Sequence, residues 1–436
     1  MKAATLSIGD ELAMGQIDDS NARWIATRLA AEGLFRAEHR TVGDDLDRLA
    51  AAIGELACDH DLLILTGGLG PTKDDLTRDA LHRHCDPDGP LVEDPAARAA
   101  LERWFRGRSR AMPASNLVQA LRPRSARCLP NPHGTAPGLA ARVGRALVFC
   151  LPGPPREMQP MFEAEVLPEV RALAGSVAMP TLAIHSFGMG ESGLAERLGE
   201  RMQRDRDPMV GTTASQSIVT ARIRSQGERS EAIARVEAMG SEIERLWFPY
   251  AYGRNGATLA EALVALLRER GQTLALAESC TGGLIGAMVT EVAGASEVLL
   301  GGFVAYSNEW KVREVGVDRS TLAAHGAVSE PVARQLAAGA REQARSTWGI
   351  GVTGIAGPGG GTAAKPVGTV FIGLAGPDGE RVRRFQFPGD RETVRDRSAK
   401  AAIQWLRCAV LGQPDIPILW SFAEAPAAER LAGPSA

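Results

Sequence analysis

The sequence predicts an α/β protein in three modules: a doubly wound, mainly parallel N-terminal sheet, a small α+β middle module and a C-terminal α/β domain. Three observations predict it. The chain has 436 residues, too many for one ordinary core. Apolar runs such as "DLLILTGG" and "RALVFCL" read as strands buried on both faces, and they alternate with helix-period segments, as in a parallel sheet covered on both sides. Near Pro180 the pattern shifts to shorter units, and near Gly256 the long alternation resumes.

The elements follow in order. "ATLSIG" is a strand, and a helix runs from Asn21 to about Ala31 with Trp24, Ile25 and Leu29 on one face and Gly33 as its stop. "DDLDRLAAAIGELAC" is a helix, "DLLILTGG" a strand, "PLVEDPAARAALERWF" a helix, "RALVFCLPGPP" a strand ending in a Gly/Pro turn, and "REMQPMFEAEVLPEV" a helix. The middle reads strand, glycine turn, helix ("TLAIHSFGMGESGLAERLGERM"), then strand ("SIVTARIRSQG") and helix ("SEAIARVEAMGSEIERLW"). After Gly256 come helix "TLAEALVALLRERG", strand "TLALAES", helix "TGGLIGAMVTEVAG", strand "VLLGGFVAYS", helices to about Arg345, and strands "GIGVTGIAG" and "PVGTVFIGLAG". "PDG" then turns a hairpin into "RVRRFQF", and "RETVRDRSAKAAIQWLRCAVLG" is the closing helix. The boundaries are 1–172, 173–254 and 255–412, with 413–436 as a Pro/Ala-rich disordered tail.

Composition narrows the function. Hydrophobic residues are 44% and charged ones 23%, with a net charge of −3. No basic field exists to recruit nucleic acid or anionic lipid. No apolar run approaches the roughly 20 residues of a membrane helix, and "MKAATLSIGDEL" turns acidic too early for a signal peptide. The 6 cysteines are scattered without CxxC pairing, which speaks against a zinc site or a disulfide framework and fits a reducing cytoplasm.

"LALAESCTGG", Leu274 to Gly283, ends a buried strand in Ser279, Cys280 and Thr281. A nucleophile there would sit beside the unpaired amides of a helix start, with Gly282 and Gly283 admitting substrate to the backbone. The alternative is that Ser279 or Thr281 only caps the helix. "YSNEWK" follows the next strand, so Lys311 could reach Ser279 and, desolvated, act as its base; otherwise it is a solvated helix lysine. "GVTGIAGPGGG" offers backbone amides for a phosphate, or is simply a shaped turn. His325 reads as a helix-end residue, so a Ser–His–Asp triad is not expected. Cys280, a rival nucleophile, lacks a basic partner and reads as packed.

"AESCTGG", "GGFVAYSNEWK", "AVSEPVA" and "GVTGIAGPGGGTAAKPVGTVFIGLAG" together resemble the nicotinamide mononucleotide deamidase domain of the CinA family, from about Gly256 to Leu411. The resemblance implies hydrolysis of that nucleotide's carboxamide to nicotinate mononucleotide and ammonia, with no cofactor. Ser279 would attack, Lys311 would take and return the proton, and Tyr306 would orient them. Thr353, Gly354 and Gly357 would hold the ribose phosphate.

"TGGLGPTKDD" ends another buried strand, with Gly67, Gly68 and Gly70 able to admit a phosphate near the backbone. Asp74 and Asp75 would repel it unless a divalent cation bridged the two; Asp10 and Asp44 lie after other strands where the sheet would gather them. Alternatively, Asp74 and Asp75 complement a helix N-terminus. "SIGDELAMGQIDDSN", "TVGDD", "TGGLGPTKDD", "NPHGTAPG" and "LPGPPREM" resemble the molybdopterin-binding-like domain at the front of CinA proteins. That implies ADP-ribose pyrophosphatase activity in some members, with a divalent metal (Mg or Co) and potassium. Gly67, Gly68, Gly70, Thr72, Gly153 and Arg156 are the phosphate-side candidates; Arg156 reads equally as a surface arginine. The middle module resembles the family's KH-like domain, but Glu191 inside its "GESG" would repel nucleic acid phosphates. A homodimer is the family expectation. The rival readings are a deamidase with a non-catalytic nucleotide- or pterin-binding front domain, and a non-enzymatic scaffold tied to competence or DNA damage.

Overall fold

The computed structural model describes residues 2–34, 37–109, 111–174 and 177–422. The chain forms two compact units: Met1–Thr181 with Arg224–Val236, and Leu182–Ile223 with Glu237–Ala436. The middle module is therefore divided between them. Among the described residues no helix is long and apolar enough to cross a membrane.

The first unit holds six strands: β1 (Ala3–Ile8), β2 (Glu38–Val42), β3 (Leu62–Thr66), β4 (Arg127–Leu129), β5 (Gly138–Val143) and β6 (Ala146–Leu151). Their order is β2-β1-β3-β6-β5-β4. The first four are mutually parallel, and the remaining two each pair antiparallel with the strand before them in that order. Strand β3 is buried throughout because successive side chains enter different cores. Leu63 and Leu65 pack with Leu49 and Ile53 of helix α1 (Leu46–Asp59), whereas Leu62 and Ile64 pack with Ile25, Met158 and Phe162. This is the two-sided covering that the apolar run predicts. Strands β4 and β5 were not expected; they form the antiparallel margin.

In the middle module the order is β8-β9-β7-β10, with β7 (Thr181–Ser186), β8 (Met209–Ser215), β9 (Ile218–Arg224) and β10 (Ala251–Arg254). The sequence reading has one strand where β8 and β9 form a tight hairpin. Its two turn residues, Gln216 and Ser217, have φ of 48° and 66°. Positive φ at both positions suits such a hairpin, but it is usually signalled by Asn-Gly, so Gln-Ser gave no cue.

The C-terminal sheet runs β12-β11-β13-β14-β15, with β11 (Leu274–Glu278), β12 (Leu299–Val304), β13 (Trp348–Gly354), β14 (Thr369–Gly376) and β15 (Gly379–Gln386). Strands β12, β11 and β13 are parallel; β14 pairs antiparallel with β13, and β15 antiparallel with β14. Leu274 and Leu276 face one core, Ala275 and Ala277 the other. Gly349 and Gly351 let helix α2 (Glu330–Ala344) seat directly on β13: a Cβ would lie 2.1 Å and 2.6 Å from the carbonyls of Ala337 and Ala333.

The expected disordered tail does not begin at residue 413. Leu419 N donates to Gly188 O at 2.6 Å, Tyr250 Oη donates to Pro417 O at 2.8 Å, and Ile418 is buried. An apolar Ile-Pro-Ile-Leu-Trp segment supplies the burial that a Pro/Ala-rich stretch lacks. Residues 423–436 of the expected tail lie outside the described residues.

Candidate active site

Parallel strands β11 and β12 end side by side, and this juxtaposition builds the C-terminal site. Ser279 follows β11, and its N–H donates to Val352 O of β13 at 3.0 Å. After β12 the chain turns into helix α3 (Asn308–Val315), capped by Ser307 accepting from Trp310 N. Lys311 lies one turn inside it and is only 1% exposed. Its Nζ donates to Ala305 O at 2.9 Å and Tyr306 O at 3.0 Å, and is 3.2 Å from Ser279 Oγ. Burial pushes this lysine below its ordinary value of 10.5. A neutral amine has two N–H groups and one lone pair. Deprotonated, Lys311 would give both N–H groups to the two carbonyls and leave its lone pair for the Ser279 hydroxyl. Lys311 is thus neither solvated nor a generic helix lysine.

The turn 279–283 departs from the expected helix start. Helix α4 begins only at Leu284 and ends at Thr290. Its first amides are taken by Glu278: Ile285 N donates to Oε2 at 3.1 Å and Gly286 N to Oε1 at 2.9 Å. Neither Ser279 nor Thr281 caps the helix, which removes the capping alternative, and the helix donors are equally closed to substrate. Gly282 and Gly283 have φ of 62° and 89°, so glycine is needed there for conformation. Cys280 is 6% exposed and burial pushes its thiol up to about 12. It is the packed neighbour, not an activated nucleophile.

Tyr306 contributes differently from expectation. Its carbonyl holds Lys311, whereas its side chain is 60% exposed and its hydroxyl accepts from Arg391 at 3.0 Å. Arg391 also donates to Gly357 O at 2.8 Å, and Arg395 to Thr281 O at 2.9 Å. These arginines stand four apart on the last helix, α5 (Arg391–Val410), and tie three strand-end loops together. Sequence reasoning missed them and Glu278; the i, i+4 arginines in "RETVRDR" were the available signal. Thr353 is buried with its hydroxyl donated to Ala327 O at 2.7 Å. A Cβ at Gly354 or Gly357 would meet Val370 or Val367 at 2.6 Å and 2.7 Å. Packing on the returning strand accounts for both glycines; neither is thereby assigned to a phosphate.

The first unit contains a cavity of about 560 Å³ at the strand ends. Gly67, Gly68, Gly70 and Gly153 line it, as do Glu11, Asp18, Asp19, Asp44, Asp74, Asp75 and Glu157, and no Lys, Arg or His does among the described residues. Three of the four aspartates expected as metal ligands already accept hydrogen bonds from the protein. Asp75 accepts Gly70 N and Thr72 N, both at 2.8 Å, and the Thr72 hydroxyl, locking its own loop. Thr72 therefore serves that lock. Asp10 and Asp44 each accept the other's backbone N–H, at 3.0 Å and 3.1 Å respectively. Burial, with Asp10, Glu11 and Asp74 nearby, raises the Asp44 pKa. Asp74 is exposed. Among the described residues no group of three or more His, Cys, Asp or Glu side chains is placed to hold a metal ion. The expected set thus does not fit a resident divalent cation.

The glycine cradle is partly spent as well. Gly67 N donates to Leu151 O and Gly70 N to Asp75. A Cβ at Gly67 or Gly68 would meet Ile8 O at 2.5 Å or Thr77 Oγ1 at 2.4 Å. Arg156 is exposed and does not line the cavity; Glu157 beside it does. In the middle module, Glu191 of "GESG" accepts from the Thr212 hydroxyl at 2.8 Å.

Three families match consecutive stretches of the chain: "Probable molybdopterin binding domain" at 4–172, "Damage-inducible protein CinA KH domain" at 182–253 and "CinA C-terminal domain" at 256–410. A CinA-like protein of Citrifermentans bemidjiense is 42% identical over 419 residues, covering 96% of this chain and 99% of that protein. A CinA-like protein of Kosmotoga olearia is 39% identical, covering 94% and 99%. Among solved structures, the competence/damage inducible protein CihA of Agrobacterium tumefaciens is 39% identical, covers 35% of this chain and 93% of its own, and has a TM-score of 0.34. With relatives of this identity aligned along nearly their whole length, and with all three domains in order, the chain belongs to the CinA family.

Proposed function

We propose that the C-terminal domain hydrolyses the carboxamide of nicotinamide mononucleotide, giving nicotinate mononucleotide and ammonia. The observation that carries this reading is the buried Lys311 Nζ, 3.2 Å from Ser279 Oγ and held by the carbonyls of Ala305 and Tyr306. Ser279 Oγ attacks the amide carbon as its proton passes to Lys311 Nζ. The tetrahedral intermediate collapses, Lys311 returns the proton to the leaving nitrogen, and ammonia departs. Water, deprotonated by the same amine, then cleaves the ester and frees Ser279. The amides of Cys280, Thr281 and Gly283 have no backbone acceptor among the described residues and are the candidate donors for the oxyanion. Arg391 and Arg395 supply positive charge for the substrate phosphate.

For the first unit, the reading best supported is a binding domain for a nucleotide- or pterin-type ligand: residues 4–172 match a probable molybdopterin binding domain, and Asp10, Asp44 and Asp75 already accept N–H groups of the protein. ADP-ribose hydrolysis is the competing reading; turnover of ADP-ribose with Mg or Co and potassium would establish it. The deamidase reading is tested by measuring ammonia and nicotinate mononucleotide from purified native protein and from Ser279→Ala. Native turnover with a silent, substrate-binding Ser279→Ala variant is expected; an alanine variant of near-native rate would overturn it.

A further inference from the structure

The geometry points to Glu278 as a positioning residue that holds the nucleophile's turn in register with Lys311. This inference rests on the deamidase reading. Glu278 is the last residue of β11 and only 2% exposed. Its backbone is fixed, since its carbonyl accepts Ala305 N at 2.8 Å. Its two carboxylate oxygens reach across the turn and accept Ile285 N and Gly286 N, one each. Everything between, Ser279 to Leu284, is therefore held at one end by the backbone of Glu278 and at the other by its side chain. The seven-residue helix α4 is too short to hold itself in place by propensity, so the carboxylate supplies its start.

Two consequences follow. The clamp fixes Ser279 Oγ relative to Lys311 Nζ, where a displacement of about 1 Å costs on the order of a hundredfold in rate. It also neutralises the positive end of the helix with a fixed internal anion, so a bound substrate cannot be drawn toward that end and away from the serine. Gln is nearly isosteric with Glu, but its NH₂ would confront one of the two amides donor to donor, loosening the turn without emptying the space.

The test compares Glu278→Gln with Thr258→Ala. Thr258 caps helix α6 (Leu259–Glu269) in a reciprocal capping box with Glu261, so its loss weakens the same domain without touching the turn. Three readouts are taken well below the melting temperatures: kcat, KM, and the rate at which a fluorophosphonate probe labels Ser279. Expected for Glu278→Gln is a fall in kcat of tenfold or more, KM within about threefold, and a parallel fall in labelling, while Thr258→Ala melts earlier yet keeps native kcat and labelling. A Glu278→Gln variant with kcat and labelling within threefold of native would overturn the inference, as would an equal loss in Thr258→Ala. If native protein labels at Ser279 but releases no ammonia from nicotinamide mononucleotide, the substrate reading fails and the labelling ratio still decides the role of Glu278. Neither labelling nor turnover in native protein overturns both.

Discussion

Replacing Lys311 by Met keeps the apolar stem of the side chain and removes its terminal nitrogen. The structure sets the size of the effect. Nζ stands 3.2 Å from Ser279 Oγ, and among the described residues no His, Asp or Glu contacts that oxygen. Loss of a positioned general base costs about 10²–10⁴-fold, or about 2.7–5.4 kcal/mol on the barrier. Met also leaves the carbonyls of Ala305 and Tyr306 without their donor, about 1–3 kcal/mol each if no water replaces it, so a melting curve accompanies the kinetics. The assay is the initial rate of ammonia release as a function of pH. In native protein kcat/KM should fall as pH drops through the lowered pKa of Lys311, because protonation removes the lone pair; Lys311→Met should lack this limb. Stability carries the same signature. The unfolded chain binds the lysine proton up to about 10.5 and the folded chain releases it earlier, so native stability rises with pH between the two values. In Lys311→Met that rise disappears. A variant within tenfold of native activity, or one that retains the acid limb, would refute the assignment of Lys311 as base.

Two other variants test the surrounding account. Asp75→Asn should destabilise the first unit by about 1–3 kcal/mol, because an amide cannot accept all three loop donors; an unchanged melt with altered divalent-cation affinity would restore the metal-ligand reading. Thr281→Val should stabilise the C-terminal unit by about 1 kcal/mol, since the buried Thr281 hydroxyl has no partner among the described residues; a loss in calorimetry would show that the hydroxyl is in use.

The legible parts of this protein were those where local chemistry and topology agree. Buried apolar strands such as "DLLILTGG" fixed the sheet type, and parallel strand ends brought Ser279 and Lys311 together, as strand–helix alternation requires. Capping could not be read that way. Glu278 acts across seven and eight residues through a turn with two positive-φ glycines, so it falls outside the spacing of an ordinary capping box. The aspartates misled for a related reason. Asp75 sits after a glycine loop as a metal ligand would, yet the same position lets it lock that loop. Sequence gives the carboxylate but not which of two acceptor roles it fills. Arg395 is distant in sequence from the turn it holds, and Arg391 from Tyr306 and Gly357, and only the packing of helix α5 brings them there.

The central claim is that Ser279 Oγ is the atom that carries the acyl group. Acid quenching of native protein during turnover of nicotinamide mononucleotide, followed by peptide mass analysis, tests it most directly. The account predicts the nicotinate mononucleotide acyl mass on the peptide containing Ser279, localised to that serine and absent from Ser279→Ala. An adduct on Cys280, or steady turnover by Ser279→Ala with no adduct in either protein, would contradict it.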